Sequence, residues 1–504
     1  MAEMKLRGGP KMKKINLLLL SLLILTPLLF AVQNRAKVDF NRFFLDRTMR
    51  IDYYHLGDNQ QEVIALDKIY DQGQWSGPVK TLIDPFMRGR YCARVYDQAT
   101  GQLIFARAFD SLFGEYKTTD EALKGIKRTF QETVLIPYPK QKISLAIEVR
   151  DKNNNFHQIF SQEIDPASIF IIKEKPESGV KVYELLKSGP PSQKVDLAFL
   201  AEGYTAAEEA KVRKDLDKFV AVFFSQEPYK SLKNKFNIYG VFKPSAESGC
   251  DEPGYGQFKQ TALGCSFDSF GSDRYLLTDD NRRLRDIAAN VPYDALMIMV
   301  NHNRYGGGGI YNLYCTFTTD NQWYEYLMLH EFGHSFTGLA DEYYTSQVAY
   351  NEFYPRGVEP VEPNITALLN PREVKWKKLL TPGIAVPTPW EKEEFDRFDL
   401  AYQKTRQELN EKIARMKREG APAEEIARLE EESEKLSLEQ GKKVEEFLAR
   451  SKYAGKVGVF EGAGYASTGL YRPAVDCIMF TKGKKPYCPV CLEAIKAMIK
   501  FYAD

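Results

Sequence analysis

The chain has 504 residues, more than one compact core usually holds, so two or three domains are expected. Lys and Arg number 69 against 68 Asp and Glu; this balance argues against nucleic acid or any partner recruited by net charge. Hydrophobic residues make up 44% and aromatics 13%, which suits packed cores and excludes a solvated, disordered chain.

Residues 1–36 stand apart. Lys11, Lys13 and Lys14 precede "INLLLLSLLILTPLLFAV", the pattern of a basic n-region and an apolar h-region. They read as a signal peptide, with an uncleaved N-terminal anchor as the alternative, because the run approaches membrane-spanning length. Pro27 and the shortness of the run favour the signal. Export follows, to the medium, periplasm or cell surface, with any membrane association confined to this segment.

From 37 to 175, "FMRGRYCARVYD", "QLIFARAFD", "KISLAIEVRD" and "FHQIFSQEID" alternate with period two between Gly, Asn, Asp and Pro. Evenly spaced strands of this kind predict an N-terminal antiparallel β-sandwich domain. It holds no cluster of catalytic groups and reads as a packing or binding module. Residues 176–194, with "KSGPPSQK" at their end, read as a linker.

The pattern changes at 195. "VDLAFLAEGY", "FNIYGVF" and "ALMIMVN" are apolar strands separated by helical stretches. The first helix has a capping box, Thr205 with Glu208 three residues on. Alternating strand and helix predict an α/β (α+β) domain over 195–504 with a mostly parallel sheet. "RYGGGGIYNLYCTFTT" reads as a loop leading to an edge strand, with a plain hairpin turn as the alternative. As an edge, it would let Gly308, Gly309 and Tyr311 bind an extended peptide by β-addition. Residues 391–450 interrupt this domain. Phe395, Tyr402, Leu409 and Met416 recur every seven residues, and Ile426, Leu429, Leu436 and Phe447 answer them, predicting an inserted helical hairpin.

Only five histidines occur, yet His330 and His334 flank a glutamate in "LMLHEFGHSFTGLADEYY". Four residues apart on a helix, both imidazoles face one side and can share an ion. With a third ligand this leaves a position for water, which is what a catalytic Zn2+ needs, and Glu331 stands ready as general base. Gly338 is placed to end the helix in a left-handed turn that brings back Asp341, the preferred third ligand, or Glu342. The arrangement resembles that of metzincins, with the glycine one residue late and a carboxylate in place of the third histidine. "YRPAVDCIMFTKG" would supply the methionine turn through Met479. The glycine-rich "GAGYASTGLYRP" before it offers Tyr465, Tyr471 and Arg472 to a developing negative charge, Tyr471 being preferred.

Seven cysteines guarantee one thiol outside any intramolecular pair. One or two disulfides are expected, the candidate pairs being Cys250 with Cys265, and Cys477 with either Cys488 or Cys491. "CPVC" has no second pair nearby with zinc-knuckle spacing, so no metal is expected there.

"HEFGHSFTGLADEYY", "EPNIT", "VPTPW", "FEGAGYASTGLYRPAVDCIMF" and "YCPVCLEAI" resemble the IgA peptidase family of zinc metallopeptidases. "VDLAFLAEGYT", "ESGCDEPG" and the N-terminal "FGEYKTTDEA" extend the likeness over nearly all of the chain past the leader. The resemblance implies zinc held by His330 and His334, Glu331 as the catalytic glutamate, and a polypeptide substrate. An exported, metzincin-like zinc endopeptidase is the leading expectation. A catalytically inactive binding protein on the same fold is one alternative, but it should lack Glu331 or a ligand histidine. A zinc amidase acting on cell wall or glycan is the other.

Overall fold

The computed structural model describes residues 38–173, 175, 177–345 and 353–503, so the leader read at 1–36 lies outside the described residues. No helix among the described residues is long and apolar enough to cross a membrane.

The N-terminal alternation builds two four-stranded sheets. Helix α1 (Phe40–Phe43) leads into β1 (Phe44–Gly57), β2 (Glu62–Gln72), β3 (Tyr91–Asp97) and β4 (Leu103–Phe109). Short helices α2 (Leu112–Tyr116) and α3 (Asp120–Leu123) precede β5 (Arg128–Pro139), β6 (Ile143–Arg150), β7 (Phe156–Ile164) and β8 (Ile172–Lys173). The strand orders are β5-β1-β2-β8 and β4-β3-β6-β7. Pairing is antiparallel except between β2 and β8, a two-residue parallel contact at an edge. Met49, Ile51 and Tyr53 from one sheet and Val95, Phe105 and Leu145 from the other share one apolar cluster.

The stretch read as a linker contains a strand, β9 (Lys181–Leu186), paired antiparallel with β11 (Phe236–Phe242). Pro and Gly on both sides masked it. Beside β11 runs β10 (Val195–Glu202), buried along its whole length, which is why it reads as one apolar run. The Thr205–Glu208 capping box forms, Glu208 Oε2 accepting from the Thr205 backbone N–H at 2.8 Å, and opens the turn into α4 (Glu209–Phe223). Helix α5 (Asn281–Ala288) leads to β12 (Ala295–Val300), then β13 (Gly307–Ile310), β14 (Tyr314–Thr318) and α6 (Tyr324–Thr337). The sheet order is β13-β14-β12-β10-β11-β9, parallel within and antiparallel at both edges.

Helices α7 (Lys392–Arg418) and α8 (Ala423–Ala449) form the expected hairpin, followed by β15 (Phe460–Ala463), β16 (Ala466–Arg472) and α9 (Pro489–Ala503). The hairpin is not independent of the core. Phe395, Val444 and Leu448 are buried in the same apolar cluster as Phe332 of α6 and Ile495 of α9. Trp323 Nε1 donates to Ser437 Oγ at 3.1 Å beside Gly441, where the missing side chain lets the indole approach.

The expected disulfides are absent: all seven cysteines are free. The loop from Cys250 to Cys265 is tied instead by the buried Glu202 carboxylate, which accepts from Leu263 N (2.7 Å) and Cys265 N (2.9 Å). Cys477 and Cys491 stand 3.9 Å apart, sulfur to sulfur, about twice a disulfide bond length.

Candidate metal centre

Helix α6 is buried on nearly every side, and its last turn ends on Gly338, whose φ of 65° is left-handed and suits glycine. Gly338 N donates to the His334 carbonyl at 2.8 Å, and the chain reverses toward Asp341. His330 and His334 both project from α6 to one point. Their Nε2 atoms are 3.1 Å apart, and Asp341 Oδ1 lies 3.0 Å from the first and 3.2 Å from the second.

The other ring nitrogens decide the tautomers. His330 Nδ1 faces the Ile478 carbonyl at 3.0 Å and His334 Nδ1 the Leu339 carbonyl at 2.6 Å. A carbonyl only accepts, so each Nδ1 carries a proton, and in the neutral ring each Nε2 presents a lone pair. Two lone pairs and a carboxylate oxygen within van der Waals range repel one another unless a proton or a metal cation sits among them. Ligands about 2.0–2.1 Å from one tetrahedral ion would be separated by about 3.3 Å, so the observed spacings fit a metal. In the bare protein the same electrostatics act on His334. Burial opposes its charge, but the Asp341 carboxylate prevails and raises its pKa to about 9.

Asp341, not Glu342, joins the histidines. Its Oδ2 accepts a 2.6 Å hydrogen bond from the Tyr465 hydroxyl, leaving Oδ1 turned to the imidazoles. Glu342 turns the opposite way, its backbone N–H donating to the Met479 carbonyl at 2.8 Å. Met479 is fully buried under the site, its sulfur 3.1 Å from where a side chain at Gly333 would begin. Glu331 lines the cavity, and burial raises its carboxyl above the usual range.

Strand β13 passes over α6. Side chains at Gly307 or Gly309 would run into Glu331, and at Gly308 into Tyr275 and Leu277, so glycine is required for this approach. Gly308, Gly309 and Tyr311 all line the cavity. The edge is narrower than expected. Gly307 is bridged to Tyr275, and the Tyr311 carbonyl accepts from Asp110 N at 3.0 Å, leaving Gly308–Ile310 between them.

Arg472 turns away and donates to the Gly462 carbonyl at 2.6 Å, and Tyr471 does not join the site either. It lies on β16 with backbone bonds to Thr366, outside the cavity lining, and packs against the core. Tyr465 stands instead in the left-handed turn before β16, with φ of 64°, and from there its hydroxyl reaches Asp341. Arg274 and Tyr343, which sequence reasoning passed over, also line the cavity, Arg274 Nη2 donating to the Tyr343 hydroxyl at 3.1 Å. Tyr343 sits two residues past Asp341, a signal that was there to be read. Arg274 belongs to no motif. Arg88 and Asp110, from loops beside β3 and β4, and Glu115 of α2 reach the same cavity.

Residues 183–499 match the family model described as IgA Peptidase M64, more than half of the chain. The chain belongs to the IgA peptidase M64 family. A second model, the Peptidase M64 N-terminus, matches residues 39–161. No match is found among curated proteins. As a member of the M64 peptidases the chain is a peptidase of a metallopeptidase family, acting on polypeptide, and its described residues include candidate metal-ligand groups. The M64 match spans both histidines, Asp341 and Tyr465, so the converging groups and the family assignment fall on the same part of the chain.

Proposed function

We propose that this M64 peptidase is an exported zinc endopeptidase in which His330, His334 and Asp341 hold the metal and Glu331 is the general base. The observation that carries the reading is the convergence of two imidazole Nε2 atoms and one carboxylate oxygen within 3.0–3.2 Å. Zinc, when bound there, would supply a Lewis acid that polarises a carbonyl and eases ionisation of water.

The chain's own residues do the rest. Glu331 takes the proton of the attacking water and returns it to the leaving amine, a task suited to a carboxylate whose pKa burial has raised. Gly308–Ile310 pairs with the extended substrate, and Tyr311 walls the groove. Tyr465 positions Asp341 from behind. Gly338 shapes the return of the chain and Met479 floors the site, a metzincin-like arrangement. On this reading residues 37–175 are a β-sandwich domain that adds Arg88, Asp110 and Glu115 to the substrate cleft. Export rests on the basic and apolar leader, outside the described residues.

Glu331→Gln should retain the metal bound through His330 and lose turnover of a peptide library by several orders of magnitude. His330→Ala should lose one metal equivalent as well as activity, read by elemental analysis. Loss of metal in Glu331→Gln, or activity retained in it, would reject the assignment.

A further inference from the structure

A second cluster lies directly behind the first. Glu342, Cys477, Cys488 and Cys491 are all buried, and one ligand atom from each lies within 4.8 Å of every other. They come from three separate segments: the return after α6, the turn that carries Met479, and the "CPVC" that opens α9. We propose that these four residues form a second metal site, a closed structural zinc centre of three thiolates and one carboxylate.

The spacing is that of ligands around an ion and not of a covalent bridge. Tetrahedral zinc with Zn–S near 2.3 Å and Zn–O near 2.0 Å sets sulfurs about 3.8 Å apart and sulfur to oxygen about 3.5 Å. Cys477 Sγ to Cys491 Sγ is 3.9 Å, and Cys491 Sγ to Glu342 Oε1 is 3.4 Å. Backbone N–H groups point at the sulfurs: Cys488 N donates to Cys477 Sγ at 3.3 Å and Cys491 N to Cys488 Sγ at 3.5 Å. Such bonds favour thiolates over thiols. Glu342 Oε1 accepts from Asn364 Nδ2 at 3.0 Å, which orients the carboxylate, while its buried Oε2 has no partner among the described residues. As three thiolates and a carboxylate, the four groups would carry more negative charge than the buried Arg472 guanidinium near Glu342 offsets, and three sulfurs select a thiophilic cation over magnesium or calcium. With all four positions taken by protein, no place remains for water or substrate, so the site is structural.

Its consequence is positional. Glu342 follows Asp341 in the chain, and Cys477 precedes Ile478 and Met479, whose carbonyls hold His330 and the Glu342 N–H. The second ion therefore clamps the return loop and the methionine turn onto the start of α9. The inference does not depend on the first centre holding zinc.

The test uses the full chain loaded with zinc, freed of excess by dialysis. Wild type should carry two zinc per chain, His330→Ala one and Cys488→Ser one. Cobalt exchanged into wild type should add thiolate-to-cobalt charge-transfer bands that survive in His330→Ala. A His/His/Asp site cannot produce those bands, so this reading stands even where Cys488→Ser fails to fold. The proposal is overturned by the absence of those bands, by a zinc count unchanged in soluble Cys488→Ser, or by mass spectrometry that finds Cys477, Cys488 or Cys491 in a disulfide in the zinc-loaded protein.

Discussion

The Tyr465 hydroxyl holds one oxygen of Asp341 so that the other meets two imidazoles, and this contact reassigns a role within one stretch of sequence. Tyr465→Phe should weaken metal retention or kcat by about 10–100-fold, as loss of a bond that orients a ligand does. Tyr471→Phe should leave both unchanged, since its ring lies outside the cavity. Chelator competition and steady-state kinetics on the two variants check this; the reverse order of effects would contradict the geometry. Another residue makes a pH-dependent contribution to stability. His55 is buried between Glu132 and Glu62, each 3.0 Å from a ring nitrogen. Burial opposes its charge, but the two carboxylates prevail and raise its pKa above 6.5. The folded state thus binds the proton more tightly than the unfolded chain. The stabilisation is fully present below about pH 6.5 and fades as pH rises through the raised value. The Tm difference between wild type and His55→Gln should therefore shrink as pH is raised from 6 toward 9.

At the scale of elements, the hairpin of α7 and α8 changes meaning between sequence and structure. Its heptads were legible, because a seven-residue apolar repeat is a local property of a helix pair. Its attachment was not. Leu448 is 1% exposed within the main cluster while Leu400 is 52% exposed, although both are leucines on charged helices. Leu448→Ala should cost about 2–5 kcal/mol of stability by leaving a core cavity. Leu400→Ala should fall within about 0.5 kcal/mol of wild type. Denaturant midpoints for the pair would show whether the hairpin is an appended arm or part of the fold. By the same reasoning, excising residues 391–450 should yield insoluble protein. The strand hidden in the linker, β9, was missed for the converse reason: proline and glycine nearby announce a turn, and only pairing with β11 makes a strand of it.

Over the whole molecule the N-terminal sheets keep one core of their own and share a second with the peptidase sheet. Tyr91, Phe113 and Phe130 share one apolar cluster with Leu200, Val241 and Ile298. Buried Arg50 reaches from β1 to Asp286 of α5 at 2.6 Å, and Arg107 Nη1 donates to the Tyr502 hydroxyl at 2.6 Å. The chain from Val38 onward accordingly forms one compact unit. Calorimetry should show one cooperative transition, and a truncation lacking residues 38–173 should aggregate with its half of the shared cluster exposed. Two resolved transitions would refute this.

What the sequence by itself determined is what depends on neighbours within a turn or two. The i, i+4 histidines come to one face of α6, the Thr205 box opens α4, Gly338 adopts its left-handed turn, and β10 reads as a buried strand. Each follows from backbone geometry and side-chain periodicity, which act over a few residues. Tertiary structure alone decided which acidic residue of the "DE" pair meets the histidines, which tyrosine stands behind it, and that Glu342 joins three cysteines more than a hundred residues away. Those outcomes depend on how chain closure brings distant segments together, and adjacent residues of an extended segment face opposite ways. Asp341 and Glu342 therefore part, one to each candidate metal centre.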